Sequence, residues 1–208
     1  MKLGEYKQAP EASNKAIELN PNSIGAYYNK GIALKELGKY EQALEAVDKT
    51  LELKPDIPNM FYLKGVILER LGKNELALKA FNKVIELNPN YSIVYNDKGL
   101  LLERLGENEL ALEAYNKATA LDHNNSEIYN NKGVVLQKLG KSVLALESFN
   151  KAIDSDSQNS KVYYNKGLLL ANTGLYKLAL EAYNKAIELK PDDPVFQHNK
   201  QSLLDRMN

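Results

Sequence analysis

The 208 residues carry 27 Lys+Arg against 27 Asp+Glu, a formal net charge of +0. The basic excess on which general nucleic-acid binding draws is therefore missing, and a charge-driven membrane-surface role is disfavoured with it. A hydrophobic fraction of 44% suffices for a folded core, and the lack of any cysteine excludes disulfides, thiolate metal ligands and a cysteine nucleophile. No apolar run approaches the length of a membrane span, and the start from Met1 to Tyr6 has no signal-peptide character. The expected compartment is cytoplasmic.

Glycine sets a period. Gly31, Gly65, Gly99, Gly133 and Gly167 are each 34 residues apart, and so are Gly4, Gly38, Gly72, Gly106, Gly140 and Gly174. Alanine keeps step at Ala9, Ala43, Ala77, Ala111, Ala145 and Ala179, and aromatics at Tyr27, Phe61, Tyr95, Tyr129 and Tyr163. A second large-residue row is Val47, Phe81, Tyr115, Phe149 and Tyr183, and prolines close most units at Pro21, Pro55, Pro89 and Pro191.

In chain order, residues 1–23 form the back part of a unit, beginning in a turn at Gly4 with Leu3, Tyr6, Ala9, Ala16, Ile17 and Leu19 patterned for packing and Pro10 early in the helix. Five full units follow at 24–57, 58–91, 92–125, 126–159 and 160–193, and 194–208 is an amphipathic capping helix. Each unit reads as two helices around a glycine. In the third, Tyr95, Leu101, Leu102 and Leu105 mark one face, and Leu110, Ala111, Ala114, Tyr115, Ala118 and Leu121 mark the other. Ser92, Ser126 and Ser160 stand where N-caps are expected. The mid-helix glycines cost helix stability, so their recurrence implies close approach of the second helix of each unit.

These residues resemble the tetratricopeptide repeat. The departures are Val47 in the second aromatic row, Thr50 and Val84 in an alanine row, and His123 and Ser157 for two loop prolines. A row of lysines, Lys30, Lys64, Lys98, Lys132 and Lys166, replaces the family's usual leucine, either as a basic ladder or as stems that pack while the ammonium reaches water. In a further row, Lys49, Lys83, Lys117, Lys151 and Lys185, four members follow a glutamate one turn earlier (Glu45, Glu113, Glu147 and Glu181) and are expected to pair with it on the helix surface. The resemblance implies an all-α, right-handed alpha-alpha superhelix, a solenoid whose first helices line a concave groove.

Carried over from the family, the groove rows are as follows. Ile32, Val66, Leu100, Val134 and Leu168 form an apolar row, either lining the groove or packing between repeats. Tyr28, Tyr62, Asn96, Asn130 and Tyr164 flank it. Asn29, Asn131 and Asn165, interrupted by Leu63 and Asp97, resemble the asparagine ladder of peptide-binding members, or else belong to a solvated face. Arg70, Arg104 and Lys138 could receive an acidic segment, although Glu69 and Glu103 stand beside the arginines for local pairing. The carboxylate clamp by which some members hold chaperone tails needs a lysine in the row of Tyr28 and an asparagine in the row of Ile32, and neither row supplies the residue required, so that activity is disfavoured.

His123 and His198 have no metal-ligand partner at helical spacing, and the glycines are explained by the repeat. The expectation is a scaffold without catalysis or cofactor that holds a peptide or helix of a protein partner. The alternatives are a recognition array belonging to a larger enzyme and a head-to-tail assembly in which the last helix of one copy meets the first of another.

Overall fold

The structure, a computed structural model, describes residues 3–207, with side chains from residue 8 onward. Among the described residues every regular element is helical. They are α1 (Leu3–Leu19), α2 (Ile24–Glu36), α3 (Tyr40–Leu53), α4 (Pro58–Arg70), α5 (Asn74–Leu87), α6 (Ser92–Arg104), α7 (Asn108–Leu121), α8 (Ser126–Lys138), α9 (Ser142–Ser155), α10 (Ser160–Asn172), α11 (Tyr176–Leu189) and α12 (Pro194–Met207). They divide into two compact units, 1–94 and 95–208, with the boundary inside α6.

In the first unit α2 packs with α3 and α4 with α5 as hairpins, and α1 packs on α2. In the second, α8 pairs with α9 and α10 with α11. Within each unit second helices also pack on the next first helix, α3 on α4 in the first, and α7 on α8, α9 on α10 and α11 on α12 in the second.

The turn inside a hairpin follows from one glycine. Gly106 has φ 81, and its neighbours close the helix end by Glu107 N–H to Leu102 O at 2.9 Å and Gly106 N–H to Glu103 O at 3.1 Å. This is the double bond of a left-handed helix stop, a conformation that favours glycine. Gly38, Gly72, Gly140 and Gly174 share it. Gly4 does not act this way, because α1 starts at Leu3 and runs through it. The expected turn is therefore absent, and Pro10 lies well inside the helix instead of near its start. The side chains of Leu3 and Tyr6 lie outside the described residues.

The core differs in register from the sequence reading. A row that the pattern left unnamed, Ala26, Met60, Val94, Ile128, Val162 and Phe196, is buried throughout, as is Ala33, Ile67, Leu101, Val135 and Leu169. The first aromatic row is only half-buried except at Tyr129. Leu19, Leu105, Leu110 and Leu121, expected on packed faces, are exposed: Leu19 and Leu121 are the last residues of α1 and α7, Leu105 follows the end of α6, and Leu110 stands in the first turn of α7. The serines expected as N-caps are the first helical residues. The cap before Ser126 is Asn125, whose Oδ1 accepts from Ile128 N–H at 3.2 Å.

Candidate functional site

The proposed groove residues come from first helices. In the first unit, α2 supplies Tyr28, Asn29 and Ile32, and α4 supplies Tyr62, Val66 and Arg70. In the second, α6 supplies Asn96, Leu100 and Arg104, α8 supplies Asn130, Asn131, Val134 and Lys138, and α10 supplies Tyr164, Asn165 and Leu168.

The apolar row is half-buried at every member. Ile32 packs against the cluster around Leu34 and Leu63, Val134 against that around Phe149, and Leu168 against that around Tyr183. Each of these three side chains thus packs against the core while staying partly open to solvent.

The tyrosines sit over the aromatic rings of their own hairpins. Tyr62 lies 6.2 Å from Phe81 and 5.6 Å from Tyr91 between ring centroids. Tyr164 lies 6.0 Å from Tyr183 and stacks on Phe196 at 4.7 Å. Burial raises the Tyr164 hydroxyl pKa above its usual value, with a smaller contribution from Asp193.

The amides form a pattern that the sequence did not show. Asn131 Nδ2 donates to Asn96 Oδ1 at 3.1 Å, and Asn165 Nδ2 donates to Asn130 Oδ1 at 2.8 Å. Asn199 of α12 continues the series to the Tyr164 hydroxyl oxygen at 3.2 Å. Each bond joins one first helix to the preceding one. Asn131 and Asn165 thus each use an N–H to clasp the preceding hairpin within the second unit, whereas Asn29 of the first unit is exposed. In the first unit the corresponding contact is apolar, with Leu63 buried beside Tyr28 in one cluster. Leu63 and Asn199 were readable at the repeat spacing; the partner one residue earlier in the preceding unit was not.

The cations close their helices. Arg70, Arg104 and Lys138 all occupy last turns, where positive charge complements the helix dipole. Lys138 Nζ also meets Glu103 Oε1 at 2.8 Å, and the other oxygen of Glu103 accepts from the Tyr115 hydroxyl at 3.0 Å. Lys138 is thus already partnered by a carboxylate of the preceding hairpin.

The inter-helix lysines are half-buried. Lys64 pairs with Asp48 at 2.7 Å, and Lys166 donates to Asn150 Oδ1 at 2.8 Å, both on the preceding second helix. Burial lowers the Lys98 and Lys132 pKa values, and the nearby Lys151 lowers that of Lys132 further. In the other lysine row, Lys49 and Lys185 pair forward with Glu52 and Glu188, not backward as the sequence suggested, and Lys83, which has no glutamate one turn earlier, pairs forward with Glu86. Among the described residues no group of acidic or histidine side chains is arranged to hold a metal, and no helix is long and apolar enough to cross a membrane.

Models of the tetratricopeptide repeat match residues 1–38 and 104–140, 28–92, 80–113, 126–159 and 160–193. The chain belongs to the tetratricopeptide repeat family. No curated protein matches it. Among solved structures it is similar to YrrB, a TPR protein described as having an unusual peptide-binding site, at 28% identity over 92% of this chain and 99% of that one, with a TM-score of 0.76. MamA from Desulfovibrio magneticus RS-1 shares the fold at 24% identity, over 82% of this chain and 97% of that one, with a TM-score of 0.76. So does the C-terminal part of a TPR protein from Cytophaga hutchinsonii, at 21% identity over 89% and 74%, with a TM-score of 0.79.

Proposed function

We propose that this chain is a non-catalytic scaffold that holds an extended peptide or a helix of a protein partner along its first helices. The observation that carries this reading is the half-buried apolar row, rooted in the core yet open to solvent on one flank, beside tyrosines that supply contact area at low entropic cost. The clasped amides refine it. In the Asn131 and Asn165 side chains one N–H is committed to a neighbour, which leaves the second N–H to donate and the carbonyl oxygen to accept from a partner's backbone. Similarity to YrrB, whose description includes a peptide-binding site, supports the same class of partner.

The test is selection of peptides from a displayed library on the full chain, followed by binding to Leu100→Glu and Leu168→Glu variants. The native chain should select peptides that both variants bind at least about tenfold more weakly, since a charge would replace the apolar contact. Failure to select any peptide, or equal binding by the variants, overturns the groove assignment. A second reading, head-to-tail association of copies, is favoured by the uncovered face that α1 and α2 present together.

A further inference from the structure

A groove of about 470 Å³ lies along α1 and α2, lined by Ala9, Ala12, Ser13 and Ala16 from one helix and Ala26 and Ile32 from the other. The α1 residues are the repeat equivalents of those that hold a first helix inside a complete hairpin. On α9 these are Ala145, Phe149 and Ala152, all fully buried by packing with α8. Among the described residues no helix takes that place on α1. Ser13 is 94% buried by its neighbours (6% exposed) and lines the groove.

The side-chain sizes select the occupant. Complete hairpins set glycine on the first helix against a large side chain on the second, as Gly133 against Phe149. On α1 the large residue is replaced by Ser13, so the complementary first helix must carry a large side chain where the others have glycine. Helix α12 does: Gln201 occupies that register and is exposed. The opposite side of α12 already packs as a first helix should, with Phe196 and Leu203 buried. Among the described residues no second helix covers its remaining face, with Gln197, Gln201 and the half-buried Leu204.

Charge and hydrogen bonding agree with the same register. Lys166 and Glu181 line one crevice, as do Lys132 and Glu147; the equivalent pair is Lys200 of α12 with Glu11 of α1. The amide series that runs Asn131 to Asn96, Asn165 to Asn130 and Asn199 to Tyr164 has its next donor at the exposed Asn29 of α2 and its next acceptor at the exposed His198 of α12.

We propose that α12 of one copy docks in the α1–α2 groove of a second copy and completes a composite hairpin, with Gln201 against Ser13. This register rests on the head-to-tail reading and specifies it by residue. The contact is heterologous, so each copy keeps one unfilled groove and one unused α12, and assembly continues into chains or rings.

Sedimentation velocity of the full chain over a concentration series should show species that grow with concentration. Gln201→Trp, at an exposed position, should leave the thermal melt unchanged yet weaken association about tenfold or more, because the larger ring overfills the contact. Ser13→Phe should weaken it similarly. Mixing the Ser13→Phe chain with a Gln201→Gly chain should restore association, since one contact then sets glycine against phenylalanine and the other keeps glutamine against serine. A full chain that remains monomeric at every concentration overturns head-to-tail association altogether. Association that persists in both Gln201→Trp and Ser13→Phe, or a mixture no stronger than its separate components, overturns this register alone.

Discussion

A Cβ atom on Gly99 would lie 2.7 Å from Cε1 of the Tyr115 ring, inside the space that the second helix of the hairpin occupies. Tyr115 is fully buried and tied through its hydroxyl to Glu103, so it has no free direction in which to move. Replacing a helical glycine by alanine ordinarily stabilises by about 0.5–1 kcal/mol. Here Gly99→Ala should instead destabilise by about 1–3 kcal/mol, the usual scale of overpacking. Urea unfolding checks this, and a variant as stable as the native chain would refute the close approach.

The amide clasp has its own energetic signature. Asn96 is only 8% exposed and receives Asn131 at 3.1 Å. Asn131→Ala leaves that carbonyl without its donor and should cost about 1–2 kcal/mol in urea unfolding. The double variant with Asn96→Leu should cost less than the sum of the single changes, as expected of bonded neighbours.

Glu103 joins two partners of unequal worth. Its bond to Lys138 involves an ammonium that is 48% exposed, so Lys138→Ala should change stability by no more than about 1 kcal/mol. Glu103→Ala also strips the buried Tyr115 hydroxyl of its acceptor and should cost more than Lys138→Ala. Thermal unfolding of the two variants side by side gives the order.

Alkaline stability should reverse direction. Burial pushes the Tyr183 hydroxyl up to about 12 from its usual 10.0, with a smaller raising effect of Tyr164 opposed by Arg206. Tyr115 is raised by burial and by the Glu103 carboxylate. Between the unfolded and folded values the native chain holds the proton that the unfolded chain has lost, so stability falls as pH rises from 10.0 toward 12. Lys98 and Lys132 act oppositely. Their folded values lie below 10.5, so they contribute stability above that pH and lose it as the pH falls through the lowered value. Thermal melts from neutral to strongly alkaline pH should therefore show a steep loss above pH 10.0, reduced in Tyr183→Phe.

Much of the fold was legible because glycine, alanine and aromatic rows keep one spacing, and each marks a geometric necessity. Gly106 ends a helix with positive φ, and Gly99 yields to a ring. What escaped was whatever depends on how far helices overlap. Val94 and Leu101 are buried while Leu105 is exposed, although all are apolar and helical in phase. The candidate site was less legible still. Lys49 and Lys185 chose glutamates three residues ahead over those four residues behind, a choice of side-chain rotamer that spacing does not decide. The clasp between Asn165 and Asn130 requires the offset of two neighbouring first helices, which no single unit encodes.

That offset has a consequence for how such a chain can lengthen. The stretch 126–159 carries both halves of the clasp, the acceptor Asn130 and the donor Asn131. A tandem copy of it would join its parent without further change. The stretch 58–91 has Tyr62 and Leu63 at the same places, and a copy of it would adhere only through apolar packing. Duplication within the gene therefore meets two kinds of seam, one polar and directional, the other tolerant of slippage.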